Sequence, residues 1–327
     1  MGERIFVSGA TGFIGSRLVE RLADGGSIVH AFYRTETKAD LIRRKGVILF
    51  KGDILDEESV LSAMKGCDVA YHVAAFAGVW SKDPGLIYRQ NVDGALNVVK
   101  AAASCGVKRV LITSTAGILG PSEGAAVNEE TPAPSSFFTT YEASKSLMEK
   151  RLAELSASSP EVIIVNPTRV YGPGVLSESN GVSRMIGKYL DGDWKLIPGD
   201  GNSSGNYVYV EDVVSGHLLA MKNGLPGQRY VLGGENITYN QLFDLTREAG
   251  GVNYRLFHVP LWLMLTIARL MELWTSLTGV APLILPGLVK KFNHNWIVSS
   301  EKAIKELGYN PMTAREGITK TVKWFQS

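Results

Sequence analysis

The run Arg4-Ile5-Phe6-Val7-Ser8-Gly9-Ala10-Thr11-Gly12-Phe13-Ile14-Gly15 constrains this chain more than any other stretch. Ile5, Phe6 and Val7 form a short apolar run that reads as a buried strand. Gly9, Gly12 and Gly15 follow at three-residue spacing, and Leu18, Val19 and Leu22 then take up a helical apolar period. A strand, a glycine turn and a helix start together make a seat for a pyrophosphate. Glycines let the backbone approach a ligand, and unpaired amides at the helix start face negative charge. Thr11, Phe13 and Ile14 lie between the glycines and are expected in the same seat. The spacing is Gly-x-x-Gly-x-x-Gly, not Gly-x-Gly-x-x-Gly, so taken alone it reads equally as a purely architectural turn. The βα repeats that follow tie it to a dinucleotide.

A chain of 327 residues can bury a large core, and one domain plus a smaller lobe is expected. With 45% hydrophobic and 20% charged residues the composition is that of a soluble globular protein. The formal net charge of +2 names no partner, and no clustered basic face invites nucleic acid. Cys67 and Cys105 are isolated, which suggests buried free thiols in a reducing compartment and no metal site. The first strand begins at once, so no leader peptide is expected and the cytoplasm is the expected location. The longest apolar stretch, residues 261–268, is cut by Arg269 and Glu272. It reads as an amphipathic helix too short to span a bilayer.

Residues 27–33 read as the second strand, followed by Arg34. At that strand end a carboxylate binds the 2′-hydroxyl of NAD, whereas a cation accommodates the 2′-phosphate of NADP. The acid is missing; Arg34 is present, with Lys38 four residues on, and a guanidinium is well shaped to grip phosphate. NADP(H) is therefore the expected cofactor, with NAD(H) as the alternative. Residues 47–50 form a third strand before Asp53-Ile54, where Asp53 either accepts from an adenine amino group or caps the next helix. The fourth strand, residues 69–75, runs into Phe76-Ala77-Gly78, whose small residues let backbone pass close to a cofactor. His72 within it reads as a packed core histidine. Asn91 opens a helix that continues through Val98, Val99 and Ala102. Residues 107–113 form the fifth strand, with Ser114-Thr115-Ala116-Gly117 at its ligand-binding end.

Tyr141 and Lys145 come next, four apart on a helix and so on one face. A phenol with a pKa near 10 is a poor proton shuttle at neutral pH. A nearby ammonium stabilises phenolate and draws that pKa toward working pH. Thr115 or Ser114 could then hold a substrate oxygen beside the phenol.

Gly9-Ala10-Thr11-Gly12-Phe13-Ile14-Gly15, Asp53-Ile54, His72-Val73-Ala74-Ala75, Asn91-Val92, Ser114-Thr115 and Tyr141-Glu142-Ala143-Ser144-Lys145 together resemble the extended short-chain dehydrogenase/reductases. Asn166-Pro167-Thr168-Arg169-Val170-Tyr171-Gly172-Pro173-Gly174 and Tyr209-Val210-Glu211-Asp212-Val213 match that pattern too. The resemblance covers essentially the whole chain. It implies an α/β fold, a doubly wound parallel sheet (Rossmann) with a smaller C-terminal substrate lobe. Residues 1–165 would hold the dinucleotide, with segments near 203–232 and 291–300 returning to them, and residues 166–327 would mainly form the lobe. It also implies Thr115, Tyr141 and Lys145 as a catalytic trio, with Asn91 supporting Lys145 through a water. Val73, Ala74 and Ala75, then Pro167, Thr168 and Val170, would border the cofactor, and a homodimer is implied.

Sugar-nucleotide epimerases and dehydratases of the family carry a stretch resembling Gly-Asp-Gly-x-x-x-Arg-Asp-Phe, whose Arg binds a diphosphate. Here Gly205 replaces that Arg and Asn206 its acidic neighbour, so a charge-assisted bidentate contact is missing. Ala116-Gly117 likewise stands where dehydratases place an acidic pair. Residues 260–274 and 278–283 add many large apolar side chains, as in the branch of dihydroflavonol-reductase-like, 3-beta-hydroxysteroid-dehydrogenase-like and farnesol-dehydrogenase-like proteins. Phe76, Trp80, Ala116, Met185 and Tyr207 are expected around the substrate. The expected activity is NAD(P)-dependent hydride transfer to or from a ketone or secondary alcohol on a lipophilic small molecule, with peripheral membrane contact. The alternative is a nucleotide-sugar epimerase or dehydratase with tightly bound NAD.

Overall fold

The computed structural model describes residues 2–155 and 160–327. The first six strands are β1 (Arg4–Ser8), β2 (Ile28–Tyr33), β3 (Val47–Lys51), β4 (Val69–His72), β5 (Arg109–Thr113) and β6 (Glu161–Pro167). Next come β7 (Arg169–Tyr171), β8 (Leu196–Pro198), β9 (Ser204–Tyr209), β10 (Arg229–Leu232), β11 (Glu235–Thr238) and β12 (Phe257–Val259). Seven of these make one sheet in the order β3-β2-β1-β4-β5-β6-β10, every pairing parallel. Winding reverses between β1 and β4, so the connections after those two strands leave in opposite directions and open a crevice at their carboxyl ends.

Helices cover both faces of this sheet, which is why its strands are apolar on both sides. Ile5 and Val7 face one core, with α1 (Phe13–Asp24), and Phe6 faces the other, with α2 (Glu57–Met64). Next in the chain are α3 (Pro84–Tyr88), α4 (Gly94–Cys105), α5 (Thr140–Ala153), α6 (Gly181–Leu190) and α7 (Val210–Asn223). α4 and α5 join the Phe6 side and α7 the Ile5 side. The last helices are α8 (Tyr239–Gly250), α9 (Leu261–Thr278), α10 (Pro286–Lys291), α11 (Glu301–Leu307) and α12 (Ala314–Gln326). A third core joins α6, α8 and α12 to the small sheet β11-β9-β7 and forms the C-terminal lobe.

Three expectations are corrected. β4 ends at His72, not residue 75, because the chain then leaves the sheet to cross the glycine turn. The helix expected to open at Asn91 starts seven residues earlier, where Pro84 at its first position suits a helix start. Between α3 and α4, Arg89–Asp93 form a π turn, which accommodates an extra residue and turns Asn91 inward. β9, expected to return to the dinucleotide half, belongs to the small sheet, while α7 and β10 do return. The amphipathic helix expected from residue 261 is α9, which runs through Arg269 and Glu272 to Thr278 with both charges exposed beside the apolar face. It stops at Gly279, whose φ of 68° suits a left-handed cap.

α9 carries the largest exposed apolar surface of the described residues. Trp262, Leu263, Ile267, Leu270, Leu273, Trp274 and Leu277 all stand out from it, Trp262 being 69% and Leu277 77% exposed. At helical spacing these seven fall within an arc of roughly 140°. The hydroxyls of Thr266, Ser276 and Thr278 donate back to the helix carbonyls of Trp262, Leu273 and Trp274, so they need no water. Among the described residues no helix is long and apolar enough to cross a membrane.

Candidate active site

The crevice between β1 and β4 continues into one cavity of about 1250 Å³, running from the glycine turn to the C-terminal lobe. Its floor depends on missing side chains. Gly9 has φ 67°, and a Cβ there would come within 2.5 Å of the Ala74 amide nitrogen. A Cβ on Gly15 would collide with the Gly9 carbonyl oxygen. Gly12 is the N-cap of α1, no acidic residue stands in the first turn, and the open amides therefore meet an anion unopposed. These features fit a bound pyrophosphate. Thr11, Phe13, Ile14, Val73, Ala74 and Ala75 line the same wall.

Further out, Arg34 and Lys38 line the cavity beyond β2, both exposed and neither in an ion pair among the described residues. Asp53 is not the cap of α2: Asp56 caps it, accepting from the amides of Glu58 and Ser59. Asp53 instead accepts from the Leu55 amide at 3.0 Å and faces the cavity together with Ile54. Ile54 rests on Gly94, where a Cβ would come within 2.6 Å of it.

At the centre, Thr139 caps α5 and fixes the start of the helix that carries Tyr141 and Lys145. The Thr115 hydroxyl accepts from the Gly117 amide at 3.1 Å and stands beside the Tyr141 phenol. Burial pushes that phenol up to about 12, the Glu142 carboxylate adds to the rise, and the Thr115 hydrogen bond opposes it. Lys145 is fully buried and donates to the Thr113 carbonyl at 2.8 Å. Burial lowers its ammonium to about 8, with Glu149 opposing.

His72 is the packed histidine expected from its strand: it is bonded to the Ser8 hydroxyl, and burial, with Lys145 nearby, lowers it to about 3. Thr113 is held in turn by His217, whose other ring nitrogen donates to the Val213 carbonyl.

Pro167, Thr168, Val170, Phe76, Met185 and Tyr207 join the cavity wall. Three expected residues do not. Asn91 accepts from the Phe76 amide at 2.8 Å and donates to the Ser144 hydroxyl at 2.8 Å, so it fixes the loop after β4 against α5 and has no direct bond to Lys145. Ala116 turns into a side core with Ile118, Leu119 and Val298. Trp80 is half-buried outside the wall.

Sequence reasoning also missed residues. Asn166 donates to the Thr115 carbonyl and to Glu149, tying the hydroxyl-bearing loop to α5. Glu142 forms a buried ion pair with Lys291, far along the chain, for which no local signal exists. Arg169 lines the cavity and makes no ion pair among the described residues. An arginine directly before the strand residues Val170 and Tyr171 was the available signal.

A dinucleotide seat leading to a hydroxyl, a phenol and an ammonium in one cavity defines the site of a nicotinamide-dependent oxidoreductase. Residues 5–233 match the NAD dependent epimerase/dehydratase family, and the chain belongs to that family as an extended short-chain dehydrogenase/reductase. It is 31% identical over 330 residues to the sterol demethylase protein B of Methylococcus capsulatus, covering 98% of this chain and 97% of that one. With the decarboxylating sterol-4-alpha-carboxylate 3-dehydrogenase of Mus musculus it shares 28% identity over 343 residues, covering 99% and 91%. The structure of Thermus thermophilus UDP-glucose 4-epimerase in complex with NAD is similar, with a TM-score of 0.80 at 27% identity and 99% of each chain covered.

Proposed function

We propose that this enzyme transfers a hydride reversibly between NADP(H) and a ketone or secondary alcohol on a largely apolar molecule. The observation that carries this reading is that Thr115, Tyr141 and Lys145 all line the one cavity that begins at the glycine turn. The nicotinamide, when bound, supplies or takes the hydride. Gly9, Gly12 and Gly15 would seat its pyrophosphate, Asp53 and Ile54 its adenosine, and Arg34 with Lys38 a 2′-phosphate. Tyr141 gives its proton to the substrate oxygen in reduction and takes it back in oxidation, while Thr115 holds that oxygen in place. Lys145, cationic at pH 7, lowers the cost of the phenolate that remains.

Two comparisons test the reading. Purified enzyme is expected to exchange added NADPH freely and to oxidise it with an apolar ketone. NAD that survives gel filtration, with no NADPH oxidation, would favour the epimerase alternative. Exchanging Arg34 for Asp is expected to weaken NADPH about tenfold or more relative to NADH, the loss of one charge-assisted phosphate contact. An unchanged cofactor preference would remove Arg34 from the site.

The same reading places the outer face of α9 on a lipid surface. Met264, Ile267 and Met271 of α9 and Leu283 after it line the cavity, and Ile267 and Leu283 are also exposed, so the cavity mouth adjoins the apolar face. Tryptophans near both ends suit the headgroup level. Lys82, beside Gly279, and Arg269 make no ion pair among the described residues and complement anionic lipid. A Trp262→Glu, Leu273→Glu variant is expected to lose about tenfold or more of its partitioning into anionic vesicles while keeping its rate on a water-soluble ketone. A wild-type dimer that this variant splits would assign the face to a second copy instead.

A further inference from the structure

The geometry points to an anion subsite at Arg169, in the lobe half of the cavity, that takes a carboxylate carried by the substrate. This deepens the oxidoreductase reading and rests on it. Arg169 opens β7 and lines the cavity together with Tyr207 and Tyr239. Its Nη1 donates to both phenol oxygens, at 3.0 and 3.2 Å, and its guanidinium carbon lies 5.3 and 5.6 Å from the two ring centroids. Two neutral acceptors therefore hold the cation in place without neutralising it.

No carboxylate is within ion-pair reach of Arg169 among the described residues. The acid in this region, Glu142, is taken by Lys291, whose ammonium lies close enough to Arg169 to be held down by its charge as well as by burial. Arg169, Lys291 and Glu142 together leave one unbalanced positive charge. Nε and Nη2 of Arg169 have no hydrogen-bond partner among the described residues. Arg169 is half-buried and lines the cavity, which leaves this edge for a ligand. This is the edge of a guanidinium that grips a carboxylate with two parallel bonds.

The sequence explains how the charge came to sit here. β7 and β9 are neighbours, with Arg169 opposite Tyr207. A Cβ on Gly205 would collide with the Arg169 guanidinium, coming within 2.6 Å of its carbon. Gly205 is the position at which the sugar-nucleotide stretch carries its arginine. Here the cation stands on the adjacent strand, and the glycine leaves room for it. A single fork, with Asn206 committed to the backbone around Gly234, matches one carboxylate better than a diphosphate. The nearby apolar wall of Val182, Ile197 and Met264 suits the hydrocarbon part of the same molecule.

The test is calorimetric binding to the NADP⁺ complex, which has no hydride to give a ketone, of a γ-oxo fatty acid, its methyl ester and an alkyl phosphate of equal length. The acid is expected to bind about tenfold or more tighter than the ester, a preference that Arg169→Met abolishes and Arg169→Lys retains in part. Equal binding of acid and ester, absence of acid binding, or a preference that survives Arg169→Met would overturn the subsite. Tighter binding of the alkyl phosphate would overturn the assignment to carboxylate. Should Arg169→Met not fold, the wild-type comparison and Arg169→Lys still decide. Binding is read without turnover, so failure of hydride transfer appears separately, as absent NADPH oxidation.

Discussion

Replacing Tyr141 by Phe is expected to lower turnover by about 10²- to 10⁴-fold while leaving the dissociation constant for the cofactor within about twofold. The substitution removes one oxygen, and with it the proton that moves. The ring remains, and so do the glycine turn and Lys145, to which we assign the holding of the cofactor. Burial holds the phenol near 12, so in this cavity it is a proton donor first. Steady-state rates and a fluorescence titration of NADPH check both halves. Near-normal turnover would assign proton transfer elsewhere, whereas a cofactor affinity that fell in step with turnover would make Tyr141 a binding residue.

Lys145→Met is expected to abolish most activity and at the same time to stabilise the protein without cofactor at pH 7. The ammonium is buried completely, and burial brings it from 10.5 to about 8, which corresponds to about 3 kcal/mol against the folded state. The bond to the Thr113 carbonyl, lost in the variant, returns about 1 kcal/mol of that. A net gain near 2 kcal/mol remains, read as a higher melting temperature. The sign of the pH dependence follows from linkage. Below about 8 the amine is charged in both states and the cost is complete. Between 8 and 10.5 the folded state releases its proton first, so the wild type gains on the variant and the gap closes. A variant that melts lower at pH 7 would show that Thr113 and Glu149 compensate the burial.

The reading of Arg4 to Gly15 held because a strand, a glycine turn and a helix start are local. Each depends on residues a few positions apart, and the collisions that a Cβ would make at Gly9 and Gly15 follow from the same short segment and its neighbour β4. The parallel sheet was legible for a related reason: strands buried on both faces must be apolar at successive positions, as at Ile5, Phe6 and Val7. The π turn before Gly94 was not legible, since one extra residue in a helical pattern changes no apolar period.

What the sequence determined by itself is the order of the elements, the dinucleotide seat, and the placing of Tyr141 and Lys145 one helical turn apart. What only the tertiary structure decided is the environment of those groups. Glu142 meets Lys291 across 149 positions, Asn166 meets Glu149 and the Thr115 loop, and Arg169 meets Tyr207, Tyr239 and the room above Gly205. Backbone geometry is set by near neighbours in the chain. Charge balance and burial are set by whichever distant residues the folded core brings alongside, and they govern which proton moves and which anion is held.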